Sequence, residues 1–320
     1  MLKCACHGLA NLLLVTWYLL LHATRCVLTQ VRKAVILAAG YGTRLLPATK
    51  SQPKEMLPLV DRPIIHYSVE EAVNSGITQV IMVTAFHKRA VEDYFDRSRD
   101  IEDMLEEKGD FERLEEMRRI SKMADFAYVR QGEPRGLGDA VLTARHLVGD
   151  EPFALILPDD VIVGAKPTTR QLIDCYEQHH VSVVAVQEVP EADTPSYGIV
   201  AGDPDPSDDR VTRLRLLVEK PALGTAPSRL AIVGRYLLTP AIFEAIERTN
   251  PGYGGEIQIT DAMQMLAGEE GMYAYRFEGE RFDTGRPLGL LVASITMGLA
   301  RPDVGPELRR FLRGIDLSEA

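Results

Sequence analysis

Between Gly40 and Lys54 the chain carries three cations, Arg44, Lys50 and Lys54, and no carboxylate, although the whole sequence has 46 acidic residues against 36 basic ones. Glycines at 40 and 42 let backbone N–H groups approach a ligand closely, and the nearby Arg and Lys neutralise oxyanions. The chemistry of the stretch is that of a polyphosphate cradle, with a purely structural strand-to-helix turn as the competing reading. Two standard phosphate signatures fail. The sequence has no G-x-x-x-x-G-K-[ST], and the dinucleotide pattern G-x-G-x-x-G breaks at Leu45, with Pro47 opposing immediate continuation into a regular helix.

The carboxylates that could complement these cations lie far along the chain. Asp159 and Asp160 follow the apolar run Leu155-Ile156-Leu157, where open α/β sheets place ligand-binding groups. Adjacent aspartates serve either as turn caps or as ligands for a hard cation, and both readings stand. Glu219 and Lys220 end a β-rich run, with a surface ion pair as the plain explanation. A second glycine cluster, Gln131 to Gly138, sits between a strand pattern and a helical segment. The seven histidines suggest no nucleophile–His–acid set, and His179-His180 falls near the end of an amphipathic helix, a structural or exposed position.

The elements that must position these residues read as an α/β alternation. Apolar or β-rich runs recur at residues 33–39, 79–85, 125–130, 153–157 and 181–189, with helical periodicity between most of them. Ala34 to Ala39 does not alternate, the pattern of a strand buried on both faces. Residues 63–75 read as a helix stopped by Gly76. Residues 99–122 read as a charged helical hairpin broken at Gly109-Asp110, with an apolar stripe of Ile101, Met104, Leu105, Phe111, Leu114 and Met117. Beyond Val189 come shorter strands at 211–219 and 230–238, a polar loop at 202–210, and terminal helices at 290–300 and 306–312 that suit subunit packing. The fold class expected is a Rossmann-like α/β domain, a mixed and mostly parallel sheet flanked by helices, with a small antiparallel substrate-binding subregion.

With Thr43, Arg44, Pro47, Lys50 and Pro53-Lys54-Glu55-Met56 included, the first stretch resembles the signature G-x-G-T-R-x-L-P-x-T-K-x-x-P-K-E-M of the sugar-1-phosphate nucleotidylyltransferases, in particular their uridylyl-transferring branch. Q-G-x-x-x-G-L-G, L-P-D-D, V-E-K-P, G-E-I-Q-I-T-D and D-T-G follow in the family's order, so the resemblance spans about residues 32–315. It implies transfer of a uridylyl group from UTP to glucose 1-phosphate, giving UDP-glucose and pyrophosphate. Thymidylyl or cytidylyl transfer and an inactive sugar-nucleotide sensor are the rivals. The resemblance assigns Ala39, Gly40, Gly42, Thr43, Gln131 and Gly136 to the nucleotide, and Gly198 and Glu219 to the sugar. It makes Arg44, Lys54 and Lys220 catalytic, the last gripping the sugar phosphate, and places Mg²⁺ on Asp159 and Asp283. Tyr197 would sit beneath the hexose; for Thr260 and Asp261 a helix-capping role is the alternative to the sugar pocket. Tyr41 and Ala38 stand where the uridylyltransferases often carry other residues.

A net charge of −10 and a pI near 5.3 argue against nucleic-acid or anionic-membrane partners, which need a basic face. Residues 1–30 hold a thirteen-residue apolar run, Leu9 to Leu21, short of the ~20 residues needed to cross a bilayer. They are expected to be an upstream start-site artefact, with a membrane anchor as the alternative, ahead of a single nucleotidyltransferase domain at 31–320. Without them only Cys175 remains of the four cysteines, consistent with a reduced cytoplasmic protein; a homo-oligomer, dimer or tetramer, is also expected.

Overall fold

The computed structural model describes residues 30–316; the apolar segment before residue 30, with Cys4, Cys6 and Cys26, lies outside the described residues. Strand β1 (Lys33–Leu37) buries Ala34 and Ile36 in one core and Val35 and Leu37 in another on the opposite face. Both faces are covered, so its sequence has no reason to alternate. The further strands are β2 (Gln79–Thr84), β3 (Asp125–Arg130), β4 (Phe153–Ile156), β5 (Asp160–Val163), β6 (Val183–Glu188), β7 (Gly198–Pro204), β8 (Val211–Glu219), β9 (Leu230–Leu238), β10 (Tyr273–Arg276) and β11 (Glu280–Asp283).

Nine of them form one sheet in the order β3-β2-β1-β4-β9-β6-β10-β8-β7. Pairing is parallel from β3 to β4 and between β6 and β10. It is antiparallel where β9 joins β4 and β6, and among β10, β8 and β7. Strands β5 and β11 make a separate antiparallel ribbon that sets Asp283 opposite Asp160, and two further two-residue strands, Pro58–Leu59 and Arg62–Pro63, pair with each other. The parallel half thus carries the nucleotide-type loops at its strand ends, and the antiparallel half extends the same sheet, as the change of rhythm after Val189 predicts.

The helices are α1 (Ile64–Asn74), α2 (Arg89–Phe95), α3 (Arg99–Glu107), α4 (Phe111–Ile120), α5 (Leu137–Thr143), α6 (Thr168–His179), α7 (Ala241–Arg248), α8 (Ile259–Glu269), α9 (Pro287–Ala300) and α10 (Gly305–Arg313). One face of the sheet packs on α1, α2 and α6, the other on α5, α7 and α8. Gly76, at φ 93°, takes the left-handed turn after α1 that residues with a Cβ avoid. Among the described residues no helix is long and apolar enough to cross a membrane.

Two sequence readings need correction. In the hairpin α3–α4 only Leu105 and Leu114 of the apolar stripe are buried; Ile101, Met104 and Phe111 are exposed. The buried centre of α3 is instead Glu102, held by Arg97 at 2.7 Å and Arg118 at 3.2 Å, a charged element that apolar periodicity cannot reveal. The polar loop is also shorter than expected, because β7 runs on to Pro204.

His66, at 2% exposure in α1, lies 3.0 Å from the Tyr94 hydroxyl and 3.4 Å from the Arg62 guanidinium. Burial, reinforced by the charge of Arg62, pushes its pKa down to about 4. The unfolded chain therefore binds a proton below pH ~6.5 that the folded chain refuses until about pH 4, so stability is lost as pH falls through that window. The contribution is on the order of 3 kcal/mol. A His66→Phe variant should show a flatter pH dependence of its urea midpoint between pH 7 and 4; an unaltered slope would contradict this origin.

Candidate active site

The loop after β1 does not become an α-helix. Gly42, at φ 67°, opens the first of three single 3₁₀ turns, Thr43–Leu45, Ala48–Lys50 and Lys54–Met56, and the Thr49 hydroxyl donates to the Gly42 carbonyl at 2.9 Å. This compact path carries Lys54 back to the end of β4. There its ammonium donates to Asp159 Oδ2 at 2.6 Å, and the Arg44 guanidinium stands 3.6 Å from the same oxygen.

The backbone N–H and the hydroxyl of Thr284 each donate to the Asp159 carbonyl at 2.8 Å, which draws the end of β11 against the same turn. A Cβ placed on Gly285 would lie 2.8 Å from Arg44 Nη2, 3.0 Å from Asp159 Oδ2 and 3.1 Å from Asp283 Oδ1. The ends of three side chains thus crowd the space over Gly285, and residues separated by more than 200 positions in sequence converge on one point. Burial alone would raise the Asp159 carboxyl, but the charges of Lys54 and Arg44 outweigh it and hold Asp159 below the usual carboxylate range. Lys54 is raised despite its burial, by Asp159 and by Glu55.

Asp160 does something different. Its Oδ2 accepts from the Gly234 N–H at 2.8 Å and its Oδ1 from Arg281 at 2.7 Å, so it fastens β5 to β9 and β11. Burial pushes its pKa up; Arg281 opposes this and the neighbouring Asp159 adds to it. Arg281 also reaches the Tyr197 hydroxyl at 3.2 Å and lies 5.3 Å from that ring's centroid, making the floor of the second cleft. Arg281 was not singled out from the sequence; the signal available was a cation two residues before Asp283 in a strand-like run.

Two clefts flank this point and share Leu137, Leu157 and Asp159. The first, about 280 Å³, is lined by Ala39, Gly40, Lys54, Gln131, Gly136 and Glu256 among others. Gln131 donates its amide nitrogen to Asp139 at 2.8 Å. Gly136, at φ 116°, is forced by more than a ligand, since a Cβ would meet the Ile257 carbonyl at 2.7 Å. Gly42 and Thr43 shape the turn but line neither cleft.

The second cleft, about 350 Å³, is lined by Arg44, Gly198, Glu219, Lys220, Asp283 and Arg286, together with Tyr197, Tyr236 and Thr260. Glu219 accepts from the Thr260 hydroxyl at 2.6 Å, so Thr260 is no helix cap. A Cβ on Gly198 would sit 3.1 Å from both Glu219 and Thr260. Lys220 holds a left-handed backbone at φ 45°, with its ammonium 3.5 Å from Glu219 and 5.0 Å from the centre of the Tyr253 ring. A non-glycine residue in that region costs about 1 kcal/mol or more, offset here by what surrounds it. His179 and His180 are remote, the first stacked on Tyr273 and the second ending α6.

Arg235, 1% exposed, supports the whole turn. It pairs with Glu71 at 2.8 Å and donates to the carbonyls of Leu157, Gly234 and Asp160 at 3.0, 2.9 and 2.7 Å. Glu71 is completed by the N–H and hydroxyl of Thr169. Removing one partner strands the other charge, so Arg235→Met should lower stability by roughly 3–5 kcal/mol in chemical denaturation. Adding Glu71→Met should recover much of the loss; an equal or greater loss in the double variant would contradict the pairing.

Comparison with known proteins bears on what this geometry serves. The nucleotidyl transferase family model matches residues 33–297. A UTP–glucose-1-phosphate uridylyltransferase of Bacillus subtilis is 50% identical over 286 residues, covering 89% of this chain and 97% of that protein. The structure of a UTP-bound UDP-glucose pyrophosphorylase from Acinetobacter baumannii superposes with a TM-score of 0.83 at 40% identity, over 90% of this chain and all of that one. A UDP-glucose pyrophosphorylase complexed with UDP-glucose gives 0.78 at 41% identity, over 85% of this chain and all of that one. With its glycine loop, its converging charges and matches that span nearly the whole described chain, the protein belongs to the nucleotidyl transferase family.

Proposed function

We propose that the protein transfers the uridylyl group of UTP to glucose 1-phosphate, releasing pyrophosphate and forming UDP-glucose. The observation that carries this reading is the meeting of two clefts at Asp159, with Arg44, Lys54 and Asp283 around it. The relatives' substrates, UTP, UDP-glucose and glucose 1-phosphate, supply the ligands that such a pair of clefts would take. In the first cleft, Gln131 commits its nitrogen to Asp139 and keeps an amide oxygen for the base. That oxygen complements the N3–H of uracil, a proton that cytosine lacks.

An anionic oxygen of the sugar phosphate attacks the α-phosphorus in line, the bond to the β-phosphate oxygen breaks, and pyrophosphate departs with the electron pair. No protein nucleophile is needed, so catalysis consists of positioning and charge stabilisation. Lys220 holds the incoming phosphate and Glu219 accepts from sugar hydroxyls above Gly198. Ala39 and Gly40 present the backbone to the triphosphate, while Gly42 and Thr43, expected at the nucleotide, shape the turn behind them. Arg44 and Lys54 neutralise the charge that develops on the leaving pyrophosphate.

Asp159 and Asp283 suit Mg²⁺, because Oδ2 of the first and Oδ1 of the second lie 3.0 and 3.1 Å from a common point over Gly285. Among the described residues no cluster of three or more His, Cys, Asp or Glu stands ready for a metal, which accords with an ion completed by substrate phosphates and water. When held by Asp159 and Asp283, Mg²⁺ would supply positive charge that offsets the charge of the phosphates.

Residues 31–320 form the catalytic unit in this reading, supported by a single sheet that runs from Lys33 to Arg276. A homo-oligomer, dimer or tetramer, is supported by the exposed apolar residues Leu288, Leu291, Val292 and Ile295 on α9 and Phe311 on α10. Cytoplasmic residence is supported by Cys175, which is free and buried.

Pyrophosphate release from UTP and glucose 1-phosphate should require a divalent cation and stop with a chelator. Arg44→Ala should lower kcat roughly a hundredfold or more without unfolding, by analogy with removing one transition-state donor. Unchanged turnover in that variant would refute its role.

A further inference from the structure

A smaller recess of about 200 Å³ adjoins the first cleft, and its walls include Tyr41, Phe86, His87, Arg130 and Gln131. The two spaces share Ala39, Gln131 and Pro134, so they are continuous around the Gln131 side chain. The Tyr41 and His87 rings, from the loops after β1 and β2, stack with centroids 5.5 Å apart and planes 7° from parallel. Phe86 is 88% exposed and Tyr41 61%, so aromatic surface stands open at the mouth of the cleft.

That exposure is held in place. Residues 85–88 run from the end of β2 to Lys88, which is 1% exposed and pairs with Glu55, also 1% exposed, at 2.8 Å. The Lys88 N–H also closes a turn onto the Ala85 carbonyl at 3.0 Å. With the loop pinned on both sides, Phe86 and His87 cannot retreat into the core. Glu55 follows Lys54 directly, so the aromatic loop and the leaving-group cation share one anchor.

We propose that Phe86 and the Tyr41–His87 stack form the outer wall of the nucleobase pocket, contacting the faces of the ring while Gln131 reads its edge. The proposal rests on the reading of the first cleft as the nucleotide site. Aromatic rings beside a guanidinium bind planar heterocycles by stacking, whichever base is presented. The recess opens into the first cleft around Gln131, and that continuity makes the base of the bound nucleotide its occupant.

The test is steady-state kinetics of Phe86→Ala and Tyr41→Leu beside the wild type, with inorganic tripolyphosphate as an inhibitor that engages the phosphate cradle without a base. Losing one base–aromatic stack should raise KM for UTP about tenfold. The KM for glucose 1-phosphate and the inhibition constant of tripolyphosphate should stay within about twofold of the wild type. A UTP KM within twofold of wild type in both variants overturns the wall, as does a parallel weakening of tripolyphosphate, which would show a disturbed loop rather than a lost base contact. Wild-type protein that releases no pyrophosphate from UTP would instead overturn the uridylyl-transfer reading beneath it, so the two failures are distinct.

Discussion

A guanidinium buried without water must be fully paired, and Arg235 meets that demand by gathering three carbonyls and a carboxylate around itself. The carbonyls belong to Leu157, Asp160 and Gly234, so the requirement of one buried charge fixes the turn from which Asp159 and Asp160 diverge. Its carboxylate partner, Glu71 on α1, is in turn bound to the start of α6. A cation that touches no substrate thereby sets the geometry at the junction of the two clefts.

Around that turn, neighbouring residues of the same type are separated by environment. Asp159 faces two cations from the turns after β1, whereas Asp160 is consumed by Gly234 and Arg281. One carboxylate stays available for exchange with ligands and the other is permanently occupied. Acidic residues outnumber basic ones in the whole chain, 46 to 36, yet Arg44 and Lys54 are both brought to Asp159 at the junction of the clefts.

Much of this was legible in the sequence, because strands buried on both faces and glycines at strand ends leave strong local marks. The β1 run, the Gln131–Gly138 loop and the Asp159 turn stand where their patterns place them. What stayed hidden depends on long-range pairing. Arg235, Arg281 and the Lys88–Glu55 pair are single charged residues inside ordinary strands and loops, and nothing nearby in sequence announces partners 33 to 164 positions away. The hairpin α3–α4 misled for the same reason, since the charged Glu102 is buried beside Leu105 and Leu114 while most of the apolar stripe is not. The glycines were visible but their reasons were not: Gly136 is required by the Ile257 backbone, and Gly285 lies where Arg44, Asp159 and Asp283 crowd together.

Under the proposed reading, the closed contact between Lys54 and Asp159 gives nucleotide binding the character of partner exchange. In the free protein each charge already satisfies the other, so an arriving phosphate must replace an existing pairing rather than fill an empty one. The affinity for triphosphate is then a difference between two sets of ion pairs, smaller than either set alone. Neutralising Lys54 or Asp159 singly would consequently distort the resting protein as well as the bound one, and only the Lys54–Asp159 double substitution would report what the ligand itself gains.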